Sequence, residues 1–139
     1  MNDLAGADPT AALDDTGAAC IARARGLIPL LQAAADRIDA KNELPSDVLD
    51  AMFDAGMFKL LLPRAFGGHE LKPIDFIQCV EAIAQGDASV AWCMNQGSGC
   101  SMAAAYMAPA VAQEIWGGQR DVVAWGQGPG AKGIRAEGG

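Results

Sequence analysis

The sequence has a single histidine, His69, and no two cysteines at the two-residue spacing of a metal or redox motif; Cys20, Cys79, Cys93 and Cys100 are scattered. A zinc knuckle and a thioredoxin-like site are thereby excluded. On one helix Cys93 and Cys100 would stand about 10 Å apart, beyond disulfide reach, so all four read as reduced thiols, mostly packed in the core. No run approaches the roughly 20 apolar residues that span a bilayer. Basic clusters are also missing and the formal net charge is −7, which argues against nucleic acid and an anionic membrane surface as partners. Residues 1–17 hold Asp3, Asp8, Asp14 and Asp15 with no basic residue, the reverse of a targeting leader. They read as a disordered lead-in, and the protein as cytoplasmic.

What is present is an apolar half, 51% of 139 residues, enough for one domain with a core. Ile21, Ala24, Ile28, Leu31, Ala35 and Ile38 recur at steps of three and four and share one stripe of a helix ending near Lys41. Pro29 inside that pattern predicts a kink or break near Gly26. Pro45 opens a second helix with Val48, Leu49, Met52 and Phe53 on its apolar face, and Gly56 stops it. Met57-Phe58-Lys59-Leu60-Leu61-Leu62-Pro63 then reads as a buried connector ending in a turn. Pro73 begins a third helix carrying Ile74, Ile77, Val80, Ile83 and Ala84.

Gly86-Asp87-Ala88-Ser89 combines a stop with an N-cap, and a fourth helix is expected from 88 to about 107. It has few charges and many small residues, so it should be surrounded by protein, and its glycines imply an interruption or a close backbone approach. Pro109 starts a short fifth helix through Val111, Ile115 and Trp116. From residue 121 the grammar changes. Asp121-Val122-Val123-Ala124-Trp125 is a β-type run, and Ile134-Arg135-Ala136-Glu137 looks like another. A lone strand or two make no stable sheet, so the expectation is a helical domain over 18–120 followed, over 121–139, by the start of a truncated β middle domain.

The order of these signals resembles the N-terminal domain of the acyl-CoA dehydrogenase-like flavoproteins. The carriers are Leu44-Pro45, Ala55-Gly56-Met57-Phe58-Lys59-Leu60-Leu61-Leu62-Pro63, Phe66-Gly67-Gly68, and Glu81-Ala82-Ile83-Ala84-Gln85-Gly86-Asp87-Ala88-Ser89-Val90-Ala91-Trp92. The Asp87-to-Cys93 stretch and Ile115-Trp116-Gly117 look closer to the flavin-dependent hydroxylase and monooxygenase branch. The resemblance implies an all-α N-terminal domain of that fold, FAD or FMN as cofactor, missing middle and C-terminal domains that carry the catalytic groups, and a homo-oligomer when full length. It also implies a small-molecule or acyl-CoA substrate. No catalytic residue is assigned here, and the fragment alone is expected to be inactive.

Trp125, Gly126 and Gln127 stand where the family presents backbone to the flavin, and glycine there permits close approach. An ordinary turn with a core tryptophan is the plainer alternative. On the fourth helix Trp92, Asn95, Gln96 and Gly99 are candidates for a substrate pocket, because amides on an apolar helix need partners; packing with internally satisfied amides is the alternative. His69 reads as an exposed loop residue, Glu81 as a buried, paired structural carboxylate, and Met52, Met57, Met94, Met102 and Met107 as core fillers. No metal site is expected. Three functions compete: acyl-CoA dehydrogenation, oxygen-dependent hydroxylation, and a non-catalytic helical interaction module.

Overall fold

The computed structural model describes residues 16–126, 128, 130 and 132–137. The lead-in expected over 1–17 falls outside them except for its last two residues, which begin the first helix. The apolar stripe of the sequence forms α1 (Gly17–Lys41). Thr16 caps it by accepting the Ala19 N–H at 3.2 Å, and Asn42 ends it in the left-handed conformation, φ 51°. The break expected near Gly26 does not occur, and α1 runs through Pro29. Pro29 and Arg25 are both exposed, where water can take the hydrogen bond that the Arg25 carbonyl loses.

Pro45 precedes α2 (Ser46–Asp54), which buries Val48 and Met52. Gly56 then turns the chain at φ 74° into the connector, whose two 3₁₀ turns, Met57–Lys59 and Arg64–Phe66, flank buried Leu60 and Leu62. The bidentate Arg37–Asp47 pair, at 3.0 and 2.8 Å, ties α1 to the start of α2. The hydrogen bonds from Arg37 hold the Asp47 carboxyl below its ordinary value.

Proline at the first turn starts α3 (Pro73–Gly86), and Asp87 caps α4 (Ala88–Cys100), its Oδ1 accepting the Val90 N–H at 2.9 Å. A 3₁₀ segment, Ser101–Tyr106, leads to α5 (Pro109–Trp116). The main layer is α1 along α3, with α4 also packed on α3 and the first turn of the connector seated on α4. At the α1–α3 crossing a Cβ on Gly86 would stand 2.8 Å from Leu31 Cβ, so glycine sets that close approach. A second, smaller cluster joins Leu62, Ala104, Ala112 and Trp116.

Several expectations are corrected. The buried face of α3 is Phe76, Cys79, Ala82 and Ile83, while Ile74 and Ile77 are exposed; both faces of that helix are apolar, so periodicity alone did not choose between them. The fourth helix stops at Cys100 instead of running to 107, because the chain tightens to 3₁₀ after the glycine-rich turn. Cys93, Met102 and Met107 are exposed, not core. His69 is buried against Gly56, whose missing Cβ makes room for its ring. Glu81 is exposed, on the solvent side of α3, and so is not a buried paired carboxylate. The all-α class holds. Among the described residues no strand forms, and those of 121–137 take neither helix nor ladder pairing.

Candidate functional site

Helix α4 is built to let something touch its backbone. A Cβ on Gly97 would meet Val122 Cγ1 at 2.7 Å and Phe58 Cδ1 at 3.1 Å, whereas one on Gly99 would meet open space. Gly97 is therefore the notch in which Val122 lies, and the segment after α5 crosses α4 there. The neighbouring hydroxyls are satisfied internally. Ser98 Oγ accepts the Leu61 N–H at 3.3 Å, and Ser101 Oγ donates to the Ser98 carbonyl at 2.6 Å.

Where the segment crosses, a cleft of about 390 Å³ opens between α2, the connector, α4 and residues 122–125. Phe53 and Phe58 form its floor with ring centroids 4.8 Å apart and planes tilted by 45°. Leu44 and Leu49 close one end, and Trp92, Cys93, Gln96 and Gly97 supply the α4 wall. Val122, Ala124 and Trp125 form the facing wall. Its volume and apolar walls suit a small planar molecule, with Gln96 as the amide able both to donate and to accept. Trp92 and Trp125 remain 66% and 62% exposed, so large aromatic area at the rim is left uncovered by the described residues.

The cleft brings together residues assigned to different tasks. Trp92 and Gln96 were singled out for substrate and Trp125 for flavin, and all three line the same space. Asn95 and Gly99 are half-buried on α4 but outside that lining, and Gly126 is exposed beside it. Gln127 lies outside the described residues. Sequence reasoning missed Phe53, Phe58, Leu44 and Val122; only the glycine at 97 signalled that a neighbour had to come close.

Charges cluster on the outer side of the facing wall. Lys59 Nζ donates to the Gly118 carbonyl at 2.7 Å, and Arg120 pairs with Asp50 while its Cζ stands 4.4 Å over the Phe53 ring. Burial lowers the Lys59 ammonium below its ordinary value, an effect that the Asp121 charge partly opposes. Among the thiols, burial chiefly, then the Cys20 and Asp75 charges, push Cys79 up to about 12, while desolvation and then Asp87 raise Cys93. A smaller hollow of about 200 Å³ shares Leu44 and Cys93 with the cleft and is edged by Asp39 and Glu43. Among the described residues no group of His, Cys, Asp or Glu could hold a metal ion, and no helix is long and apolar enough to cross a membrane.

The acyl-CoA dehydrogenase N-terminal domain family matches residues 29–116. Among curated proteins, the chain is 27% identical over 100 residues to the flavin-dependent monooxygenase oxygenase subunit HsaA of Rhodococcus jostii, covering 72% of this chain and 26% of that protein. It is 32% identical over 99 residues to indole-3-acetate monooxygenase of Pseudomonas putida, covering 68% and 25%. A third relative is the oxygenase component of p-hydroxyphenylacetate 3-hydroxylase of Acinetobacter baumannii, 23% identical over 103 residues, covering 74% and 24%. The chain thus spans about a quarter of the length of these relatives. It belongs to the acyl-CoA dehydrogenase-like flavoprotein superfamily, as an N-terminal helical domain whose similarity runs to the flavin-dependent monooxygenases.

Proposed function

We propose that this chain is the N-terminal helical domain of the oxygenase component of a two-component flavin-dependent monooxygenase, and that its cleft is one wall of the pocket shared by substrate and flavin. The observation that carries the reading is the meeting of Trp92 and Gln96 with Trp125 in one apolar cleft. The uncovered rim supports it: Trp92 and Trp125 stand exposed at the cleft, and Met102, Tyr106 and Met107 add exposed apolar area after α4, of the kind that another protein layer or a ligand covers. In this reading a β middle domain begins near residue 121 and, with a C-terminal domain, completes the cover.

Flavin suits the rim. A planar ring system can lie against Trp125, and Gly126, beside which a Cβ would meet nothing, leaves backbone open to its edge. Trp125, Gly126 and Gln127 would hold the cofactor, FAD or FMN, and reduced flavin would supply the electrons that activate O₂. This chain's own part is to exclude water with Phe53, Phe58 and Leu49. Its second part is to orient an aromatic substrate between Trp92 and the floor, with the Gln96 amide reading a polar substituent. Asn95 and Gly99, on the same helix, lie outside that wall.

The protein carrying this domain, supplied with reduced flavin by a separate reductase, is expected to take up oxygen in response to a small aromatic acid or phenol. A charge-transfer band on adding acyl-CoA, with no oxygen uptake, would replace hydroxylation by dehydrogenation. Indifference to flavin would leave a non-catalytic helical module.

A further inference from the structure

The wall formed by residues 122–125 has no ladder or helix to hold it, yet it is fixed at defined points. Just before it, Lys59 from the connector grips the Gly118 carbonyl, and the Gly118 N–H donates to Asp121, closing a tight turn. Two residues on, Arg120 reaches back to α2, where it pairs with Asp50 and lies over the face of Phe53. Phe53 is itself the cleft floor. One side chain thus couples floor and facing wall, and Val122 then drops into the Gly97 notch.

We infer that Arg120, seconded by Lys59, is a positioning residue that latches the wall at 122–125 over the Phe53 floor and so sets the width of the cleft. The inference rests on the cleft being a ligand pocket. It assigns Arg120 no contact with the ligand. The guanidinium works through two other groups: the Asp50 carboxylate fixes where it sits, and the Phe53 face fixes which way it lies. A lysine keeps the charge but not the planar stacking, so it should latch less well.

The test uses the full chain labelled with 5-fluorotryptophan, whose three tryptophans give separate fluorine resonances, Trp125 being assigned by Trp125→Phe. The probe is N-phenyl-1-naphthylamine, a neutral aromatic whose affinity does not follow the protein's net charge. Arg120→Ala is expected to move the Trp125 resonance toward its position in unfolded protein and to weaken the probe roughly five- to tenfold. Arg120→Lys should fall between it and the parent. Arg37→Ala, which breaks the bidentate Arg37–Asp47 pair outside the cleft lining, should change neither. If Arg120→Ala does not fold, Asp50→Asn removes the ion pair alone and is expected to weaken the probe by about threefold.

An unmoved Trp125 in a folded Arg120→Ala chain overturns the latch. A moved resonance with unchanged probe affinity overturns the positioning role and leaves a contact that is merely structural. A parent chain that takes up no probe, while Trp125 still responds to Arg120, overturns the pocket reading instead.

Discussion

Between α1 and α3 the chain closes on itself, and between α4 and residues 122–125 it does not. The first interface buries Cys20, Ala24, Leu31, Cys79 and Ile83 almost completely, and Gly86 lets the two helices touch. The second also uses a glycine to bring backbone together, yet leaves an apolar cleft with two exposed tryptophans at its rim. Both faces are rich in apolar side chains. The difference is that one spends its apolar area on the fold of this chain, while the other leaves it open, and under the proposed function that opening is where a ligand sits.

The comparison breaks first if the closed half proves soft. Leu31→Ala should cost roughly 2–5 kcal/mol, read by urea denaturation, since Leu31 is fully buried at the α1–α3 crossing. The glycines of α4 sharpen the contrast. Gly97→Ala should cost about 1–3 kcal/mol by overpacking against Val122 and Phe58. Gly99→Ala, facing open space, should gain up to about 1 kcal/mol from helix propensity. Equal effects at the two glycines would remove the notch from the account.

Trp92→Ala tests the open half directly. Its stability change should stay within about 0.5 kcal/mol despite the loss of a large aromatic side chain, because Trp92 is exposed. A loss of several kcal/mol would make it a core residue. The smallest effect is on thiol reactivity. In the folded chain a disulfide reagent should label Cys93 and half-exposed Cys100 first, and Cys20 and Cys79 only on unfolding. A raised thiol has less thiolate at neutral pH, so labelling of Cys93 should accelerate as pH rises, whereas Cys79, at about 12, should remain silent across that range.

The sequence was most legible where local chemistry decides. Asp87 as an N-cap, Pro73 in a first turn and Gly56 as a stop each act within a few residues, and each is found in that role. It was least legible where both options were apolar. On α3, Phe76 and Cys79 were taken inside in place of Ile74 and Ile77, a choice made by α1 and invisible in one helix's pattern. His69 does lie in a loop but was expected to be exposed, because nothing in its neighbours reveals that Gly56 vacates space for it. For the site, Trp92, Gln96 and Trp125 could be named from the chain, but Phe53 and Phe58 could not. Their role depends on Arg120 and Val122 folding back from more than 60 residues away.

The most direct test of the open cleft as a working surface is oxygen uptake by the protein that carries this domain, with reduced flavin and an aromatic substrate, comparing the parent with Trp92→Ala and Trp125→Ala. Substrate-dependent uptake should fall at least roughly tenfold in both variants while their melting temperatures stay with the parent. Uptake and flavin affinity unchanged by both substitutions would contradict the account.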